Sequence, residues 1–257
     1  MEKQPLTLRE RQLEYLRILK ELDQYCTENN LRYYMGCGTL IGAVRHKGFI
    51  PWDDDLDVFM PQPDFDRFWK EYQPGRFIIR TIYNDLSHPF TFGRFCDTSV
   101  YSFTNNQKIY DCGIDIYVIN GAPSERNEQI EHIDKVFKFI NRKSKLASFR
   151  NILAKRGLWP NKSLNFKLLN RTLKRADAEF RKYKFDDCKY IWPYGGGKLI
   201  LKKELYGIPV RLQFEDGCFY APEHYHEVLT AGYGDYMTLP PEDKRKPYHG
   251  VTCFWNN

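Results

Sequence analysis

The run Gly36-Cys37-Gly38-Thr39-Leu40-Ile41-Gly42-Ala43-Val44-Arg45-His46-Lys47-Gly48-Phe49-Ile50-Pro51-Trp52-Asp53-Asp54-Asp55-Leu56-Asp57-Val58-Phe59 is the stretch from which the rest of the chain is read. Four carboxylates, Asp53, Asp54, Asp55 and Asp57, fall within five positions. Leu56 to Met60 reads as a strand, and strand alternation puts Asp53, Asp55 and Asp57 on one face and Asp54 on the other. Like charges crowded this way oppose folding unless water or a cation screens them. Paired carboxylates together with substrate phosphates are how Mg²⁺ is ordinarily held. An EF-hand is excluded, because its sixth and twelfth loop positions would be Val58 and Asp64 rather than Gly and Glu. A solvated acidic turn is the bland alternative.

Working outward, Gly113-Ile114-Asp115-Ile116-Tyr117 sets Asp115 between two β-branched apolar residues, so it faces away from both. If those isoleucines are core, Asp115 is a third carboxylate that can help hold metal and orient or deprotonate a hydroxyl. The alternative is an edge-strand Asp in solvent. Gly38-Thr39 predicts a tight turn whose N–H groups and hydroxyl meet a phosphate, the more so if a helix begins there. Arg45, His46 and Lys47 supply cations suited to a diphosphate, although a basic helix end explains them equally well.

Thr7 and Glu10 predict a capping box opening an amphipathic helix, with Leu13, Leu16, Leu19, Leu22 and Cys26 as its stripe. Strand patterns follow at Leu31–Met35, Phe77–Tyr83, Phe90–Cys96, Val100–Phe103 and Ile114–Ile119, with short helices over Thr39–His46 and Pro63–Tyr72. Between Glu125 and Tyr190 the pattern turns helical and basic, with 18 Lys/Arg against 8 Asp/Glu, while the whole chain of 257 residues carries 39 against 33. Ile130, Ile133, Phe137 and Ile140 mark one stripe there; Leu169, Leu173, Ala176 and Phe180 mark another. The expected architecture is α+β: one domain over 1–257, a mixed sheet flanked by helices, with a basic helical insert at about 125–190. No apolar run is long enough to cross a bilayer, no secretory h-region follows Met1, and 16 % aromatic content excludes disorder. The seven cysteines form no CxxC pair, so buried thiols in a reducing cytosol are expected.

A Gly-Thr turn, a DxD and a later lone Asp form the signature of the nucleotidyltransferase superfamily, and the wording from Gly38 to Asp57 closely resembles the LicD family. That family includes bacterial phosphocholine transferases, fukutin and fukutin-related protein. Gly113–Ile116, Phe214-Glu215-Asp216-Gly217, Ala221-Pro222, Tyr233–Met237 with Leu239-Pro240-Pro241, and His249 extend the likeness to about residues 31–119 and 205–250. The resemblance implies a nucleotidyltransferase-like fold that moves a phospho-alcohol, such as phosphocholine, from a CDP-activated donor to a glycan hydroxyl and releases CMP. Carried over by position, Asp55, Asp57 and Asp115 would be catalytic, Asp53 would join them around Mg²⁺ or Mn²⁺, and Gly38, Thr39, Arg45, His46 and Lys47 would meet donor phosphates. The acceptor would be a cell-surface glycan or lipid-linked precursor (teichoic acid or lipopolysaccharide). The enzyme would work in the cytosol at the inner membrane face, its basic helices touching anionic lipid.

Weaker signals complete the reading. Arg94, followed by Asp97, fits a family stretch as substrate contact or structural ion pair, and His249 is a candidate substrate contact. Trp159, Trp192 and Tyr194 could form an aromatic cage, although aromatics this abundant are mostly core. Gly195-Gly196-Gly197-Lys198 lacks Walker spacing and reads as a turn. Two competing functions stay open. One is nucleotidyl transfer from an NTP to a small sugar or sugar phosphate. The other is a non-enzymatic nucleic-acid binder using the basic helices; the acidic site argues against it, and no nucleic-acid partner is expected.

Overall fold

The computed structural model describes residues 4–104, 107–155, 162–194 and 197–256, with side chains described outside 104–107 and 145–165. Thr7 caps α1 (Leu8–Glu28) through the expected reciprocal box with Glu10. Leu16, Leu19, Leu22 and Cys26 are buried, but Leu13 is exposed. The helix instead buries Arg11, Gln12 and Glu14 in its first turns: Arg11 and Gln12 serve the loop before the second strand, and Glu14 pairs with Arg17. Gln12 Nε2 donates to the carbonyls of Asp53, at 2.9 Å, and Ile50, at 3.4 Å.

β1 shrinks to Tyr34–Met35, since only these residues find a partner strand. After it come α2 (Cys37–Arg45), β2 (Asp57–Pro61) and α3 (Gln62–Glu71), then β3 (Phe77–Arg80) and β4 (Gly93–Asp97). β5 (Val100–Thr104) and β6 (Gln107–Ile109) lead to β7 (Gly113–Ala122), the ten-residue spine of the fold. The main sheet runs β1-β2-β7-β4-β3. β2 and β7 are parallel, and β8 (Tyr190–Pro193) joins the far half of β7, with β9 (Leu201–Lys202) beside it. Ile114, Ile116 and Val118 of β7 are buried on one face, which leaves Asp115 and Tyr117 on the other. The expected mixed sheet with flanking helices is therefore present.

The basic segment forms α4 (Arg126–Lys155) and α5 (Lys162–Phe180), packed on each other. Leu169, Leu173, Ala176 and Phe180 are buried as expected, whereas Ile130 points to solvent. Asn170 Nδ2 donates to the Ile82 carbonyl at 2.7 Å and Arg181 pairs with Asp66 at 2.8 Å, tying α5 to the body. The break expected at Trp159-Pro160-Asn161 lies outside the described residues.

The tail is a hairpin, β10 (Val210–Phe214) with β11 (Gly217–Ala221), then α6 (Tyr225–Tyr233) and β12 (Cys253–Trp255). Glu215 at the hairpin turn accepts from Arg9 at 2.6 Å and from the Phe49 N–H at 3.1 Å, locking the hairpin against the chain that leaves α2. β12 adds to β5, and Cys253 forms a disulfide with Cys112. This corrects the expectation of dispersed thiols. The partners are 141 residues apart, so only tertiary structure reveals the pair. No helix among the described residues is long and apolar enough to cross a membrane.

Candidate active site

The parallel pairing of β2 with β7 sets Asp57 opposite Asp115. Asp57 opens β2, where its N–H donates to the Thr39 hydroxyl at 2.9 Å and the Gly36 N–H donates to its carbonyl at 3.0 Å. Asp53 and Asp55, expected on the same strand, instead lie in the loop before it, because pairing with β7 begins only at Asp57. The alternation nevertheless survives. Asp53 and Asp55 are hydrogen-bonded neighbours, and both crowd Asp57 electrostatically.

Helix α2 starts two residues before the expected Thr39, with Gly36 as its N-cap, so Gly38 and Thr39 sit in the first helical turn rather than in a tight turn. Cys37 holds a left-handed φ of 47° at this start, a conformation that costs a non-glycine residue energy and concentrates at functional sites. A Cβ on Gly38 would sit 2.5 Å from Asp53 Oδ2, so only glycine lets that carboxylate lie against the helix start. Thr39 is buried, its hydroxyl oxygen committed to the strand.

The carboxylate corner is short of compensating charge. Burial, then Asp55, pushes the Asp53 carboxyl up to about 8. Asp57, 7 % exposed, is pushed well above the carboxylate range by burial, Asp55 and Asp115. Its Oδ1 has no partner among the described residues. No three His, Cys, Asp or Glu side chains among the described residues stand close enough together to enclose a metal ion. The chemistry of the donors nonetheless suits a hard divalent cation: oxygen-only carboxylates, mutually repelling, one with a bare buried oxygen.

Asp115 differs, because Arg94 takes both of its oxygens, Nε to Oδ1 at 2.5 Å and Nη2 to Oδ2 at 3.0 Å. The third Arg94 nitrogen reaches Asp111 at 3.0 Å, so the guanidinium is spent on carboxylates and forms an ion pair, though not with Asp97. Asp97 pairs with Arg76 at 2.8 Å and Arg17 at 3.0 Å.

Arg45, His46 and Lys47 lie at the opposite end of α2 from Gly38. Arg45 donates to the Tyr236 and Thr238 carbonyls at 2.5 and 3.4 Å and to His46 Nε2 at 2.9 Å, so it holds the tail. Burial, then Arg45, lowers the His46 pKa. Lys47 is exposed.

Several contacts of the site residues carried no signal in the sequence. Asp54 accepts from the backbone N–H groups of Tyr248, His249 and Gly250 at 3.0, 3.1 and 2.8 Å and from Arg11 at 3.4 Å. Against the cost of burial, the bonds from His249, Gly250 and Tyr248 hold its carboxyl below the usual range. The tail so fixed brings His249 Nε2 within 2.7 Å of Asp55 Oδ2. Cys37 is hydrogen-bonded to both Asp57 and Tyr233. The alternation hinted at Asp54, but nothing local pointed to Arg11, Cys37 or Tyr233. Trp192 is buried beside Phe180 and Tyr194, in keeping with the core reading of these aromatics; Trp159, the third ring of the alternative cage, lies outside the described residues with Gly195 and Gly196.

These elements, with Asp57 paired to Asp115 behind a helix start, belong to a known class of enzyme. The family model described as "LicD/FKTN/FKRP, nucleotidyltransferase domain" matches residues 30–139, the span from β1 into α4. The chain is also 33 % identical to the lipopolysaccharide cholinephosphotransferase LicD of Haemophilus influenzae, over 95 % of this chain and 96 % of that one. It therefore belongs to the LicD family and is a LicD-like phosphotransferase. Over 52 residues it is also 44 % identical to uncharacterised proteins of Rickettsia prowazekii and Rickettsia typhi, a fifth of this chain and 20 % and 17 % of theirs.

Proposed function

We propose that this protein transfers phosphocholine from CDP-choline to a hydroxyl of a lipopolysaccharide or related glycan, releasing CMP, on a nucleotidyltransferase-like core. The observation carrying the reading is the 33 % identity, over nearly the full length of both chains, to a lipopolysaccharide cholinephosphotransferase, and the Asp57–Asp115 pair supports it.

Asp53, Asp55 and Asp57 would hold Mg²⁺ or Mn²⁺, with Asp115 adjoining. When bound, the ion supplies positive charge against the donor diphosphate and the departing CMP. The chain's own residues do the positioning. The first turn of α2 directs N–H groups toward donor phosphate, and exposed Lys47, beyond the other end of the helix, would add a cation for a more distant part of the donor. Asp115, oriented by the fork of Arg94, would accept a hydrogen bond from the acceptor hydroxyl and line it up on the distal phosphorus. The Asp55–His249 pair would close the corner from the tail side. Peripheral docking of the basic α4–α5 pair on anionic membrane or lipid carrier would bring a lipid-linked acceptor within reach.

The test is CMP release and thermal stabilisation with CDP-choline, with and without Mg²⁺. The reading expects both to require the metal and both to vanish in Asp57→Asn. Pyrophosphate release from an NTP, with no CMP from CDP-choline, would replace it with nucleotidyl transfer.

A further inference from the structure

A cavity of about 200 Å³ opens between the start of α2 and α6. Phe59, Tyr206 and Tyr233 line it with aromatic rings, and Leu40, Leu199 and Val228 are among its aliphatic walls. Gly36 creates the space for one ring, since a Cβ there would lie 2.1 Å from Phe59. Tyr206 is buried and stands edge-on to Tyr34, with centroids 5.0 Å apart, so its ring is fixed. Tyr233, at the mouth, is half exposed. The cavity adjoins the carboxylates through Cys37, which lines it and is hydrogen-bonded to Asp57.

The lining discriminates among occupants. A nucleobase or a polyol brings a rim of donors and acceptors, and mostly hydrocarbon walls would leave them unpaired at a cost. A quaternary ammonium has no N–H to satisfy, tolerates apolar contact, and is attracted both by aromatic faces and by nearby negative charge. Phe59, Tyr206 and Tyr233 provide the faces, and the Asp53–Asp55–Asp57 corner provides the charge.

We propose that this cavity seats the trimethylammonium group of the transferred alcohol and selects choline over primary amines and polyols. The proposal rests on the phosphocholine reading above but assigns selection to residues outside the carboxylate motif.

The test uses the full chain and three variants, Tyr233→Leu, Tyr233→Phe and Gly232→Leu. The Cβ of Gly232 would meet only Leu199, at 3.8 Å, so a larger side chain there fills the cavity without entering the backbone. CMP release is compared for CDP-choline and CDP-ethanolamine, and thermal shift is measured with choline chloride against ethanolamine chloride. Tyr233→Leu and Gly232→Leu should lose about 5- to 30-fold in the choline-to-ethanolamine ratio of kcat/KM, the range of a desolvated cation–π contact. Tyr233→Phe, which keeps the ring, should lose less. The choline-specific shift should disappear in Gly232→Leu. If wild type releases CMP from CDP-choline while all three variants keep its preference, the cavity assignment is overturned and the phosphocholine reading stands. If choline shifts wild type but not Gly232→Leu while CDP-choline yields no CMP, the reading fails and the cavity stands. Absence of both signals in wild type overturns both.

Discussion

Asp55 Oδ2 and His249 Nε2 lie 2.7 Å apart although 194 positions separate them in the chain. The pair is made by its neighbour: Asp54 gathers the N–H groups of Tyr248, His249 and Gly250 at 2.8–3.1 Å. One Asp of the acidic run thus faces the chemistry while the next holds the segment that completes it.

Asp54→Asn should therefore behave unlike His249→Ala. Loss of charge-assisted bonds to a buried carboxylate costs about 1.5–3 kcal/mol each, so Asp54→Asn should lower stability by about 3 kcal/mol and raise amide exchange at Tyr248–Gly250. His249→Ala should leave those amides protected while lowering turnover. Hydrogen exchange read beside CMP release distinguishes the two.

The acidic corner also predicts a pH dependence. Asp53 keeps its proton in the folded state until about pH 8, whereas the unfolded chain loses it near pH 3.8. The unfolded state then binds fewer protons across that window, so the metal-free protein should lose stability as pH rises from about 4 to 8, by at most about 1.4 kcal/mol per pH unit for one proton. Urea midpoints in EDTA should show this slope. Asp53→Asn should flatten it, and Mg²⁺ should oppose it.

Arg94 is committed to Asp115 and Asp111. Arg94→Met strands the buried carboxylate of Asp115, while Asp111 keeps Arg80 at 2.6 Å, and should cost about 3–5 kcal/mol. Arg94→Lys keeps the charge but cannot form the fork, so turnover should fall more than stability, by about 10- to 100-fold in kcat.

Arg45 and Lys47 should separate as well. Arg45 binds tail carbonyls, so Arg45→Ala should raise proteolysis and amide exchange at Tyr236–Thr238 with little change in KM. Lys47 is exposed, so Lys47→Ala should raise the KM for the CDP-linked donor about tenfold and leave stability within about 0.5 kcal/mol.

Breaking the Cys112–Cys253 bond, by dithiothreitol or Cys253→Ser, releases a loop of 141 residues. It should cost about 2–5 kcal/mol, or about 5–15 °C in Tm at this chain length. Both treatments should shift Tm alike.

What was legible in the sequence was local. The Thr7–Glu10 box, the strand through Val58 and the isoleucines flanking Asp115 each follow from spacing within a few residues, and the structure has them all. The arrangement of the corner was not local. Asp53 and Asp55 leave the strand because β7 offers pairing only from Asp57 onward. Arg45 looks like a phosphate ligand until the tail folds over it. Trp192 reads as core, but that Phe180 and Tyr194 are the rings around it emerges only when the helical insert packs on β8. Cys112 and Cys253 become partners only once β12 lies beside β5.

The knot of Tyr248–Gly250 on Asp54 bears on protein engineering. A cassette spanning Gly36 to Asp115, spliced into another scaffold, would import every carboxylate and leave behind the strap that buttons the corner shut. Swaps between relatives should exchange the acidic run and the C-terminal ribbon as a matched set.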